Sequence, residues 1–246
     1  MSLIEFRNIS KSFGDHQVLS GLNLAVKQGE TLTIIGGSGS GKSVTLKLLL
    51  GLLDADDGGI FFRGANIVDM TREGVVQMRS RIGMLFQGGA LFDSLTVFEN
   101  VAYPLVEHHS HSPEELERIV REKLDLVGLS GTEPMYPADL SGGMKKRVGL
   151  ARAIAINPDV VLYDEPTTGL DPANTNRINE LILRLQEVLK VTSLVVTHDM
   201  ASAFKVSNRL ALLHNRKIEF CGTVDEVKRS TNPVVKNFIH GEIGGD

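Results

Sequence analysis

Residues 3–9 and 17–26 alternate apolar with polar side chains, the two-residue period of strands with one buried face. The run TLTII at 31–35 is apolar enough for a short buried strand, and it ends at Gly36-Gly37. A helix over 43–52 follows, then a strand pair over 59–67. Another buried strand, 82–86, enters a loop at Gln87-Gly88-Gly89. Between 96 and 129 the period becomes helical, with Val97, Val101 and Leu105, then Leu116, Ile119, Val120, Leu124 and Val127. Ser112-Pro113-Glu114-Glu115 predicts a helix start: a Ser cap, Pro at the first helical position and Glu closing a capping box. Residues 88–158 are therefore read as a helical insert inside one domain spanning 1–246.

The strand pattern resumes at 160–163. A helix over 172–190, a strand over 192–197, a helix over 199–206, strands near 210–214 and 218–220, and a short helix over 233–240 complete the chain. Strands alternating with helices predict an α/β fold with a mainly parallel core sheet, an antiparallel β portion and the helical insert.

Composition narrows the class. The chain has 246 residues, 42% of them hydrophobic, which suits one α/β domain with a modest insert. A net charge of -4 speaks against a protein that coats nucleic acid. The single cysteine, Cys221, excludes a disulfide framework and a cysteine metal cluster, and reads as a small buried side chain. The longest apolar run, near 46–53, is broken by Lys47 and is too short to span a bilayer. The start MSLIE has neither a basic segment nor a cleavage pattern, so a cytosolic chain that meets a membrane by docking on a partner is expected.

The chemistry begins at GGSGSGKS, Gly36-Gly37-Ser38-Gly39-Ser40-Gly41-Lys42-Ser43, which matches G-x-x-x-x-G-K-[ST] between a strand and a helix. The glycines let backbone N–H groups wrap phosphates, Lys42 brings an ammonium to the β- and γ-phosphates, and Ser43 offers a hydroxyl to Mg²⁺. VVLYDEP, 160–166, supplies acids at the end of a buried strand. Asp164 is expected to hold Mg²⁺, and Glu165 to act as general base for an attacking water. Unpaired charges at the edge of a buried sheet would otherwise cost several kcal/mol. Together the two motifs imply a Mg-dependent NTPase. A third motif, LSGGMKKRVGLARA at 140–153, places a Ser and two glycines at the start of a helix, where free N–H groups make an anion site or a plain serine cap.

These residues resemble the ATP-binding-cassette (ABC) family over nearly the whole chain, LSGGM standing where the family signature is usually LSGGQ. The resemblance implies a head-to-tail homodimer, with Ser141, Gly142 and Gly143 facing the nucleotide on the partner copy. It places Phe13 against adenine, where an ordinary core Phe is the alternative. It gives Gln87 a role beside Mg²⁺ and the attacking water, puts Asp171 on a loop crossing the dimer, and makes His198 a switch near the γ-phosphate. Two departures are Met144 in place of Gln and Val44 in place of the Thr that often follows GKS.

FQGGALFDSLTVFENVAYPL, 86–105, further resembles the ATPases of Mla/Mce-type lipid transporters. That implies a peripheral subunit on the cytoplasmic side of the inner membrane. Its partners would be an integral permease, an Mce-type lipid-binding subunit and a small regulatory subunit, with no nucleic acid. A transporter of a polar solute is the alternative cargo. A soluble ABC ATPase acting on nucleic acid or ribosomes would carry coiled coils, zinc cysteines or two fused cassettes, none of which the sequence has. Leu91, Phe92, Leu95, Val97 and Phe98 either line a groove for a permease helix or pack into the insert. His108-His109 and His111 read as a solvated loop or metal ligands. Lys145-Lys146-Arg147 reads as a solvated helix face, with phosphate or lipid headgroups as the other reading. The stripe Val234, Val235, Phe238 and Ile239 packs on the chain's own sheet or docks a partner.

Overall fold

The computed structural model describes residues 2–108 and 111–240. In chain order come strands β1 (Ser2–Phe13), β2 (His16–Lys27) and β3 (Thr31–Ile35), helix α1 (Lys42–Leu49), and strands β4 (Asp57–Phe62) and β5 (Ala65–Asn66). Next are α2 (Arg72–Arg79), β6 (Ile82–Leu85), α3 (Val97–His108), α4 (Pro113–Leu126), α5 (Gly142–Ile154), β7 (Val160–Asp164) and α6 (Pro172–Leu189). The chain ends with β8 (Thr192–Thr197), α7 (Met200–Val206), β9 (Arg209–His214), β10 (Lys217–Thr223), α8 (Val224–Lys228) and α9 (Pro233–His240). Its described residues fall into two compact units, 2–78 with 192–240, and 79–108 with 111–191.

The first unit holds an antiparallel sheet, β2-β1-β4-β5, in which Phe6 lies opposite both Leu24 and Ile60. β1 runs on to Phe13, beyond the expected end at residue 9. Asn8 takes φ 54° and the register shifts on both sides of Ile9, so the two-residue period breaks while the pairing continues. The unit's other sheet runs β10-β9-β3-β8, with β8 and β9 parallel to β3 and β10 antiparallel at its edge. Every residue of β3 and β8 is buried, which is why both read as near-continuous apolar runs. α1 stops at Leu49, short of the expected 52, because Gly51 turns left-handed (φ 62°) and the Leu52 N–H donates back to the Lys47 carbonyl. The stripe on α9 packs on this unit's own core: Val235 is buried, and Val234, Phe238 and Ile239 rest on the cluster of Ile35, Ala203, Leu210 and Leu212.

In the second unit β6 and β7 pair in parallel, Leu85 opposite Tyr163. α5 lies across β6 so closely that a Cβ at Gly83 would sit 2.0 Å from the Ala153 carbonyl oxygen. The capping box of α4 forms as expected, Ser112 and Glu115 each accepting from the other's N–H. The apolar run 91–98 divides: Val97 is buried at the start of α3, whereas Phe92 remains exposed. Asn100, fully buried, fixes the loop ahead of α3. Its Oδ1 accepts from the Phe92 N–H at 2.8 Å, and its Nδ2 donates to the carbonyls of Phe92, Leu95 and Thr96 at 3.1, 3.0 and 2.9 Å.

Candidate functional site

In the first unit, β3 delivers the chain to Gly36 and the loop closes on α1. Two of its glycines, Gly36 and Gly41, leave no room for a side chain. A Cβ at Gly36 would sit 2.6 Å from the Leu213 carbonyl oxygen. Gly41 has φ 104° and faces Val18 and Leu19 of β2 at 2.9 Å, so the antiparallel sheet abuts the loop. Gly37, Ser38 and Gly39 are exposed, with Gly39 also left-handed. Lys42 Nζ donates to the carbonyls of Gly36 and Gly37 at 2.9 and 2.8 Å, folding the ammonium over the loop's own crown. Ser40 Oγ is buried without a hydrogen-bond partner, and Ser43 and Val44 begin α1 half-buried. A backbone crown, a poised ammonium and an orphaned buried hydroxyl fit a polyphosphate.

His198 belongs to the same edge. Ile35 pairs with Thr197, so Gly36 and His198 leave β3 and β8 side by side, His198 exposed. Phe13, at the end of β1, is 47% exposed, which removes the core-Phe alternative. Its ring carries Lys11 Nζ 5.5 Å from the centroid.

In the second unit the register of β6 and β7 sends Gln87, Asp164 and Glu165 out of one strand edge, because Leu85 and Tyr163 are opposite. Gln87 is exposed, Asp164 half-buried and Glu165 only 9% exposed. Hydroxyl and carboxylate oxygens such as those of Ser43 and Asp164 are the hard donors that magnesium takes. Glu165 has φ 49°, a left-handed conformation uncommon for its type, and Thr168 Oγ1 donates to its Oε2 at 3.1 Å.

Ser141 caps α5, its hydroxyl accepting from the Met144 N–H at 3.3 Å. Ser141 and Gly142 are exposed; Gly143 is buried, with Asn174 Oδ1 2.8 Å from where its Cβ would be. Asp171 caps α6 and holds that same Asn174 by its N–H and its amide, and these bonds keep the Asp171 carboxyl below the usual carboxylate range. A phosphate loop, an Asp-Glu strand end and an LSGG helix start thus all take the local structures their sequences imply. The ABC transporter profile matches residues 19–168. The chain belongs to the ABC transporter family.

It is an ABC-type ATPase, and its similarities extend past that profile. It is 42% identical over 99% of its length to the intermembrane phospholipid transport system ATP-binding protein MlaF of Haemophilus influenzae, covering 92% of that protein. It is 39% identical over 97% of its length to the probable ribonucleotide transport ATP-binding protein mkl of Mycobacterium tuberculosis H37Rv, covering 66% of it. Among solved structures, a dimeric ATP-binding cassette in a post-hydrolysis state bound to ADP and Pi superposes with a TM-score of 0.82 at 32% identity, over 90% of this chain and 98% of that one.

One sequence reading changes. Lys145-Lys146-Arg147 is not a solvated face: Lys146 is 5% exposed, and Arg147 donates to the Val127 and Gly128 carbonyls at 3.3 and 2.9 Å. Burial lowers the Lys146 pKa, against an opposing pull from the Glu165 charge. Lys146 lies three residues after buried Gly143 and four before buried Leu150, and that apolar stripe was a signal for its burial. No metal cluster lies among the described residues; His111 Nδ1 lies 3.8 Å from Glu115 Oε2, while His109 and the side chain of His108 are outside them. Asn100, which organises residues 92–96, was not singled out, because one Asn in a helix has no periodic signal. No described helix is long and apolar enough to cross a membrane.

Proposed function

We propose that the chain is the ATP-hydrolysing subunit of a transporter that moves phospholipid between membranes, working as a head-to-tail homodimer on the cytoplasmic face of the inner membrane. The observation that carries the cargo is the 42% identity, over almost the entire length of both chains, to a protein of intermembrane phospholipid transport. The roles rest on each residue's chemistry and on its match to the family's motifs. Loop N–H groups, Lys42 and Ser43 hold the ATP phosphates, with Phe13 against the adenine. Ser43, Gln87 and Asp164 are the residues that would hold magnesium, which when bound would offset negative charge on the phosphates. Glu165 accepts the proton of the attacking water, oriented with His198 and Gln87. Ser141 and Gly143 serve the partner copy's nucleotide, and Asp171 lies at the interface.

An apolar groove in the second unit suits the permease. It has a volume of about 310 Å³, walls of Ile82, Met84, Phe92 and Tyr103, and Arg79 and Arg152 on its lining. The Phe92 and Tyr103 rings meet at a 42° tilt with centroids 4.7 Å apart, so the two exposed rings form one surface. An apolar helix with an acidic residue fits that chemistry. An Mce-type lipid-binding protein and a small regulatory subunit complete the proposed assembly.

The test is capture of the tagged chain from detergent-solubilised membranes, with mass spectrometry of bound proteins and lipids. A permease with an Mce-type protein and enriched phospholipid is expected. A permease without lipid enrichment refutes the cargo and favours a polar solute, the reading supported by the ribonucleotide label on the mycobacterial relative.

A further inference from the structure

α5 touches three segments of the second unit that carry proposed site residues or their supports. Gly149 meets the loop after β6: its Cβ would lie 3.0 Å from the Gly89 carbonyl oxygen, to which Arg152 also donates at 2.9 Å. Gly143 meets Asn174, which Asp171 holds. The third contact is the least expected. Lys146 sends its ammonium into the turn after β7 and donates to the carbonyls of Glu165, Pro166 and Thr168 at 3.3, 2.9 and 2.7 Å. An ammonium has three donor hydrogens, and here three carbonyls converge on it.

Glu165 sits in a left-handed conformation that surrounding structure must impose. The Thr168 N–H reaches the Glu165 carbonyl only at 3.3 Å. Thr168, whose carbonyl makes the shortest of the three lysine bonds, is also the residue whose hydroxyl holds the Glu165 carboxylate. The lysine therefore fixes both ends of the segment that aims the carboxylate.

We infer that Lys146 is a positioning residue for hydrolysis: it holds the Glu165–Thr168 turn so that the Glu165 carboxylate stays aimed. The inference rests on the reading of Glu165 as general base. Burial disfavours the charged form of Lys146, and the Glu165 carboxylate nearby pulls the other way. Because Lys146 stands on the helix that Ser141 starts, the element offered to the partner's phosphate and the turn that aims this copy's base are parts of one hydrogen-bonded assembly.

The experiment compares Lys146→Met, Lys146→Arg, Glu165→Gln and the Lys146→Met/Glu165→Gln double variant of the full chain. It reads single-turnover ATP hydrolysis, binding of a fluorescent ATP analogue and ATP-dependent dimer formation. Lys146→Met is expected to slow hydrolysis about 10- to 100-fold, the scale of a small misplacement of a reacting group. Nucleotide affinity, set by the loop of the first unit, is expected to stay within about 2-fold, below the binding loss that removing a phosphate contact would cause. Lys146→Arg, which keeps a multi-donor cation, recovers most of the rate. The double variant forms as much ATP-dependent dimer as Glu165→Gln alone. If Lys146→Met does not fold, Lys146→Gln, which still donates to two carbonyls, replaces it. A wild-type rate for Lys146→Met, an Arg variant no better than Met, or loss of the dimer in the double variant each overturns the inference. A wild-type rate for Glu165→Gln instead removes Glu165 as base, whatever Lys146 does.

Discussion

Asn100→Ala tests how the loop ahead of α3 is held. The side chain is fully buried and accepts one N–H while its two amide protons serve three carbonyls, at 2.8–3.1 Å. Three proton-limited bonds at about 1 kcal/mol each give a loss of about 3 kcal/mol, a large part of the 5–15 kcal/mol that holds a typical domain together. Asn100→Asp is the sharper probe because it keeps the shape. Its carboxylate could still accept from Phe92 but would face the other three carbonyls without a proton, so at neutral pH it should be at least as damaging as Ala. In that variant the folded-state carboxyl pKa is raised above the unfolded value. The penalty is therefore present at neutral pH and is relieved as pH falls through the folded pKa, where the protonated acid donates again. Urea midpoints at pH 7 and pH 5, with the slope checked for constancy, measure both effects. A loss under about 1 kcal/mol for Ala, or an Asp variant more stable than Ala at pH 7, would refute the hydrogen-bond argument.

Glu165→Gln should bind ATP and dimerise while hydrolysis drops by about 10²- to 10⁴-fold, the range for a general base, as read by phosphate release. Gly83→Ala would press a methyl group into the Ala153 carbonyl oxygen, 2.0 Å away on backbone that cannot swing aside. It should cost about 3 kcal/mol or more, measured by thermal melting; an unchanged Tm would show that α5 can move off β6. The Asp56 carboxyl is held below its ordinary range, first by the Lys11 ammonium and then by the Ser12 N–H. Its contribution is present above the ordinary carboxylate pKa and lost as pH falls through the lower folded value. Asp56→Asn should therefore flatten the acid side of the stability profile, and profiles parallel to wild type down to pH 2.5 would dismiss the pairing.

What could be read from the sequence was what repeats or what closes locally. The apolar runs of β3 and β8 have one structural solution, buried parallel strands, and both were placed to the residue. Ser112 and Glu115 make their capping box inside four residues, so no distant contact was needed to foresee it. Thr223 and Glu226 make an equal box at α8, and the same signal, TVDE, was present but unread. Length, rather than the absence of a cue, hid that five-residue helix. α2 had less to offer, since Met78 is its one buried residue. The motif residues were legible because phosphate chemistry constrains their spacing, yet spacing says nothing of what keeps them in place. Gly83, Asn100 and Lys146 act on partners 70, 4–8 and 19–22 positions away, through a carbonyl approach, a loop of backbone groups and a turn. Each looks ordinary in sequence, and Lys146 looked like surface charge. A lysine on the apolar stripe of a helix either lays its stem along the stripe with the ammonium in water or buries the ammonium, and burial demands acceptors. The stripe left both open, and only the fold shows the ammonium buried on the turn carrying Glu165.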